Sequence, residues 1–219
     1  MAPNSSDVRN IRLLFNEKGT EMRLLLCLLL CGIVSADEKF GLKAPAGWGG
    51  ETIPLPTGFA PKMKLKGTEH IRFAPGMMKA GSETFFCYAF AFEFQRDLNV
   101  TDKVLQEELL KYYRGLSKAV LRDQTPVLPF ERFTVELTQV EPKEKLKNMP
   151  QQWTAELKWV EPFATRKTQT LHMEIRVWKG NQKQFLFACV SPQSRKADVW
   201  KQLRKIRTDY IKSKGATAN

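Results

Sequence analysis

Histidine and cysteine are scarce in this chain, two of the first and four of the second among 219 residues. Nucleophilic catalysis by Ser or Cys needs a base within hydrogen-bond reach, and His70 and His172 are the only histidines; neither sits in a Ser-centred or Cys-centred motif. No His-x-His or Cys-x-x-Cys pair occurs, so the ligands of a zinc site have no source, and neither a metal nor a cofactor is expected. The glycine-rich "GWGGE" lacks the Gly-x-Gly-x-x-Gly spacing and the strand-to-helix context that aim backbone amides at phosphate. The apolar run from Leu24 to Val34 covers about 11 residues, whereas a membrane-spanning helix needs roughly 20.

That short run fits a cleaved export signal. Arg23 supplies the positive flank, and Val34-Ser35-Ala36 offers modest side chains ahead of a cut, leaving Asp37 first. A lipid anchor on Cys31 is the weaker reading, because bulky Leu30 stands where a lipobox takes a small residue. Residues 1–21 are polar and read as a spurious extension before a true start at Met22, with 22–36 as the signal. The expected location is secreted or periplasmic.

About 180 residues remain, one domain of ordinary size. The formal net charge of +12 falls by only one with the signal, so the working protein is basic. Such an excess favours an anionic polymer, a membrane surface or an acidic protein partner; export argues against nucleic acid. Cys27 and Cys31 leave with the signal. Cys87 and Cys189, each inside an apolar run, are either a disulfide pair or two small buried hydrophobes.

Residues 37–67 are rich in Gly and Pro and read as an extended arm over a core, with Trp48, Ile53, Leu55 and Phe59 as anchors; a single domain is expected over 68–213. Within it, Glu69 to Phe73 alternates as a short strand. A long strand follows in "ETFFCYAFAFEF", with Phe86, Tyr88, Phe90, Phe92 and Phe94 on one face and Phe85, Cys87, Ala89 and Ala91 on the other. Val104, Leu105, Leu109, Tyr112, Leu116 and Val120 predict a helix over 102–122, capped by Thr101 or Asn99 and weakened at Gly115. Asn99 also opens a glycosylation sequon, which capping explains equally well. Three alternating strands follow around Val135, Ala155 and Met173, then a turn at Gly180-Asn181 and "QFLFACV", apolar on both faces. A basic amphipathic helix capped by Ser194 or Ser191 closes the chain, with Val199, Leu203, Ile206 and Tyr210 as its apolar stripe.

The expected fold is α+β: an antiparallel sheet of about six strands with helices on both faces. "APAGW", then "EHIRFAPG" and "TFFCYAFAFEF", a helix, four strands and a final helix containing Trp200 resemble the layout of the PsbP and Mog1 superfamily. That resemblance implies proteins that bind or assemble. A hotdog-like core is the alternative, and "GGETIPLPTGFAP" also looks like secreted bacterial proteins of unassigned function.

The leading expectation is a non-enzymatic exported domain that binds an anionic or amphipathic partner. Candidate contacts are Phe163, Arg166 and Lys167 in the loop of "WVEPFATRK", and Lys201, Arg204, Lys205 and Arg207 on the last helix. Two other readings stand beside it: a hydrolase using a carboxylate with His172, and a structural subunit that docks through its N-terminal arm. Glu136, Glu156, Glu174, Lys158, Arg176 and His172 fall on the polar faces of neighbouring strands, where cross-strand ion pairing is the simpler expectation.

Overall fold

Aromatic residues at every second position from Tyr88 to Phe94, with Ala89 and Ala91 on the alternate face, make a strand that is apolar on both faces over most of its length. In the computed structural model this strand lies inside a seven-stranded antiparallel sheet, third from one edge. The structure describes residues 41–96, 98–121, 130–141, 150–180 and 182–216, all within one compact unit, Ala36–Asn219. The segments 1–21 and 22–36, and the start of the arm, lie outside the described residues.

The strands are β1 (Gly49–Leu55), β2 (Gly67–Phe73), β3 (Tyr88–Gln95), β4 (Thr134–Gln139), β5 (Gln151–Val160), β6 (Thr168–Lys179) and β7 (Lys183–Ser191). Their spatial order is β1-β2-β3-β7-β6-β5-β4, so the two doubly apolar strands lie side by side. Helix α1 (Asp102–Leu121) follows β3 and helix α2 (Asp198–Ser213) follows β7. No described helix is long and apolar enough to cross a membrane.

Each sheet face has its own core. On one, Phe86, Tyr88, Phe90, Phe92 and Phe94 meet Trp153, Leu157, Met173 and Ile175 beneath Leu105, Leu109, Tyr112 and Tyr113 of α1. On the other, Cys87, Ala89 and Ala91 leave room for α2, which brings Trp200, Leu203, Ile206 and Tyr210 onto Phe187 and Cys189. Large side chains on one face and small ones on the other decide how closely each helix can approach.

Several expectations change. The sheet has seven strands, because Gly49–Leu55 of the supposed arm pairs with β2 along its whole length. Leu42 and Trp48 join the α2-side core, and Leu55, Met63 and Leu65 the α1-side core, so this stretch is part of the fold. The long strand begins at Tyr88 rather than Glu83. Phe86 has φ of 52°, a left-handed conformation that ends a strand, and its amide bonds back to the Met77 carbonyl at 2.9 Å. Phe85 consequently joins Phe86 on the α1 side. Thr101 caps α1, its hydroxyl accepting the Val104 amide at 3.3 Å. At α2 the N-cap is Ala197, without a side-chain cap bond, because the Ser194 and Ser191 hydroxyls accept the amides of Lys196 and Gln193.

The edge strands are protected. Pro54 removes a donor from β1. On β4, the Val140 amide bonds Gln152 across the ladder, so by alternation the carbonyls of Phe133 and Val135 face outward. Those carbonyls accept hydrogen bonds from Arg114 and Gln106 of α1, which close part of a row another strand would otherwise bind.

Gly115 is a packing requirement as well as a weak point of α1. A Cβ there would lie 2.2 Å from the Phe59 carbonyl oxygen, a backbone atom that cannot rotate away. Alanine improves helix propensity by about 1 kcal/mol, but it forces α1 off the loop at Phe59. Gly115→Ala is therefore expected to lower the urea midpoint, the reverse of the result for an exposed helical glycine.

Candidate functional site

The α2 face of the sheet holds most of the charged machinery, and it begins with two acids placed by strand alternation. Glu93 on β3 and Glu174 on β6 both point toward α2, where its cations and its tyrosine reach them.

Glu174 is buried and engages both carboxylate oxygens. Arg204 donates through Nε at 3.1 Å and Nη2 at 2.6 Å to Oε1, and Arg207 donates through Nη1 at 2.6 Å to Oε2. Burial alone would raise this carboxyl; the bonds and charges of the two arginines outweigh it and hold the group below its usual range. Two of the expected surface cations, Arg204 and Arg207, therefore turn inward, and Arg207 is only 9% exposed. Arg176, two residues along β6, is half-buried and donates to the Ile175 carbonyl at 2.9 Å. Burial, reinforced by the charge of Arg207, brings its guanidinium down to about 10.

Glu93 accepts from Tyr210 at 3.0 Å, Lys214 at 2.6 Å and Lys183 at 3.2 Å, with His70 Nε2 at 3.6 Å. His70 is the strongest influence holding this carboxyl well below its usual value; burial opposes it, and the two lysines add to it. On the other side of the ring, His70 Nδ1 lies 3.1 Å from the exposed Thr52 hydroxyl. Hydroxyl, imidazole and carboxylate thus form a line across β1, β2 and β3, but its acid is already neutralised by lysines. Periodicity does not single out Glu93, whose partners Lys183 and Tyr210 lie 90 and 117 residues away.

The remaining candidates are dispersed. Lys201 pairs with Asp198 and Lys205 with Asp209 along the exposed side of α2, contacts that water and salt screen. Phe163 is half-buried, 5.7 Å from the Phe86 ring and so on the α1-side core, away from the cations of α2. Glu161 organises its loop by accepting the amides of Phe163, Ala164 and Thr165. Arg166, at φ of 55°, and Lys167 are left exposed without a side-chain partner among the described residues. Lys64 and Lys66 frame a depression of about 260 Å³ over Leu65, Phe94 and Leu98, a feature with no periodic signal in the sequence.

His172 Nδ1 lies 3.2 Å from Glu156, though not aligned as a hydrogen bond, and Lys158 lies 3.5 Å from Glu136. Glu156 and Glu136 are 43% and 68% exposed, which describes a solvated row of ion pairs more than an enclosed pair of carboxylates. Cys87 and Cys189 are free, buried thiols. Cys189 pairs with Ala89, which makes Cys87 its diagonal neighbour; such positions lie about 7–8 Å apart in Cα, beyond disulfide range. Burial pushes Cys189 up to about 12 and Cys87, in spite of its bond to Ser191, up to about 11, so both are poor nucleophiles. Among the described residues no group of three His, Cys, Asp or Glu is placed to hold a metal.

Comparison with family models, curated proteins and solved structures gives no match. The chemistry must come from the chain itself.

On the α1 side a further acid is enclosed. Glu69 is fully buried, accepts the Tyr112 hydroxyl at 2.9 Å on Oε1 and has no partner on Oε2 among the described residues. The hydroxyls of Tyr88 and Tyr113 are bonded to each other nearby. Desolvation raises Glu69 to about 8, the Tyr112 bond opposes this, and Glu51 on the neighbouring strand adds to it.

Two outcomes follow from these acids. Glu174→Ala strands Arg207 in the seam and is expected to cost about 3–5 kcal/mol by denaturant titration, the scale for removing one partner of a buried pair. For Glu69, both states are protonated below about pH 4.5, and between 4.5 and 8 only the unfolded chain releases the proton. Its contribution to stability is therefore lost as pH rises through that window, at up to about 1.4 kcal/mol per pH unit. Glu69→Gln should flatten that decline in urea midpoints measured from acid to mildly alkaline pH.

Proposed function

We propose that the chain is an exported, non-enzymatic binding or assembly domain whose basic surface takes an anionic or amphipathic partner. The observation that carries this reading is the loop at Arg166 and Lys167. Its backbone is held by Glu161, and it presents two exposed cations without a partner among the described residues. A loop backbone held in advance loses little freedom on binding, so only the two side chains remain to be ordered. The net charge of +12 gives the same preference at longer range. Lys201 and Lys205 contribute as solvated, exchangeable cations, whereas Arg204 and Arg207 serve first to seat α2.

The export part of the reading rests on the segment from Met22 to Ala36, and the expected compartment is extracytoplasmic. A PsbP and Mog1-like arrangement is supported by the element order and by a terminal helix on the face opposite α1; a hotdog-like core would have no use for that helix. The hydrolase reading around His172 is the weaker one, given its solvated carboxylates. Docking through residues 37–67 is weaker too, since Leu42, Trp48 and Leu55 already fill the chain's own cores.

The test is retention on a heparin resin and co-sedimentation with vesicles, neutral or containing anionic lipid, at low and physiological salt. The expected result is binding that falls with salt and is largely lost in the double variant Arg166→Glu, Lys167→Glu, with a smaller loss for Lys201→Glu, Lys205→Glu. Unchanged binding in the first double variant would sink the proposal.

A further inference from the structure

Where Arg204 and Arg207 of α2 reach across to β6, positive charge outnumbers negative charge in a poorly solvated place. Glu174 supplies one carboxylate, and both its oxygens are already engaged by Arg204 and Arg207. Arg176 adds a third guanidinium on the same face, between Gln152 of β5 and Phe187 of β7, and it donates to a neutral backbone carbonyl. Arg195 adjoins the group: its carbonyl accepts from Arg204 Nη2 at 3.2 Å, and its own Nε is shielded from water with no hydrogen-bond partner among the described residues. The neighbouring acids lie elsewhere, Asp198 with Lys201, Asp209 with Lys205 and Glu156 with His172. Cys189, beside Glu174 in the ladder, stays a neutral thiol.

Arg176, Arg204 and Arg207 against the one carboxylate of Glu174 leave an excess of two positive charges, and Arg195 at the edge adds a third. Arg207 is buried, but Arg204 is 37% exposed and Arg176 half-buried, so a ligand can approach these two from the open, polar half of the sheet formed by β4, β5 and β6. We propose that this seam binds a doubly charged phosphate group, gripped by Arg176 and Arg204 with Arg195 at its rim. The guanidinium fork matches two oxygens of a phosphate. A phosphate monoester carries about −1.5 to −2 at neutral pH and offsets most of this excess, whereas a carboxylate or sulfate ester offsets a single charge. The inference deepens the anion-binding reading by naming the ligand's chemical class, while its residues differ from the loop cations at Arg166 and Lys167.

The experiment titrates the full chain with inorganic phosphate, and separately with glycerol phosphate as a monoester, against acetate and chloride at matched ionic strength and about pH 7.5. Thermal melts and calorimetry are the readouts. Saturable binding and a raised melting temperature are expected with phosphate and not with acetate. Tighter binding of glycerol phosphate would assign the site to a phosphate carried on a larger molecule, and tighter binding of inorganic phosphate to the free ion. Arg176→Gln should weaken the affinity by about tenfold or more, and Arg176→Lys, which keeps the charge without the fork, should fall between. Arg195→Gln supplies an independent variant if Arg176→Gln does not fold. Phosphate effects equal to those of acetate, or wild-type affinity in both Gln variants, would overturn the proposal. Heparin retention with no phosphate binding defeats this site alone; saturable phosphate binding without retention defeats the loop reading and leaves the site.

Discussion

The pairing of β3 with β7 is the constraint on which the rest of the molecule depends. Both strands are apolar on two faces, so neither is stable at an edge, and each supplies the other with the hydrogen bonds that burial demands. Once they occupy the middle, α1 must cover one face and α2 the other. The half-exposed strands β4, β5 and β6 then extend the sheet on one side and β1 and β2 on the other. The contrast between Phe90 and Phe92 below and Ala89 and Ala91 above makes the two layers different in kind: an aromatic interior under α1, and a thinner one under α2 with buried charge at its margins.

Those charges change the meaning of the basic composition. A helix such as α2, with cations on most of its circumference, suggests a surface for anions, yet its fold uses some of them as anchors. Arg207 follows Leu203 by four residues, which sets it at the border of the apolar stripe, whereas Lys205 lies farther round. The border position turns toward Glu174; the outer position meets only Asp209 and water. Net charge therefore overstates the cations available at the surface, and it hides the place where they are concentrated.

Much of the fold was legible where a single physical rule decides. Alternation placed Val135, Trp153, Leu157, Met173 and Ile175 inside, and Thr101 marked the start of α1. The rule failed where a residue defies its own preference: Phe86 adopts a left-handed backbone that its side chain disfavours, and β1 forms from Gly, Thr and Pro that read as loop. The site was less legible still. Glu93 and Glu174 are single acids in apolar or alternating strands, and their partners come from α2 and β7, brought near only by strand order. Alternation gave the right face for Arg176 and His172, but it could not tell an acid that meets two arginines from one that meets water.

The order of the central strands also has a cost in time. β7 leaves the ribosome about 90 residues after β3, a delay on the order of 5 to 20 s at ordinary rates of synthesis. Throughout that interval a strand carrying Phe90, Phe92 and Phe94 has no neighbour on one side and no α2 above it. The nascent chain is therefore most vulnerable to self-association in mid-synthesis.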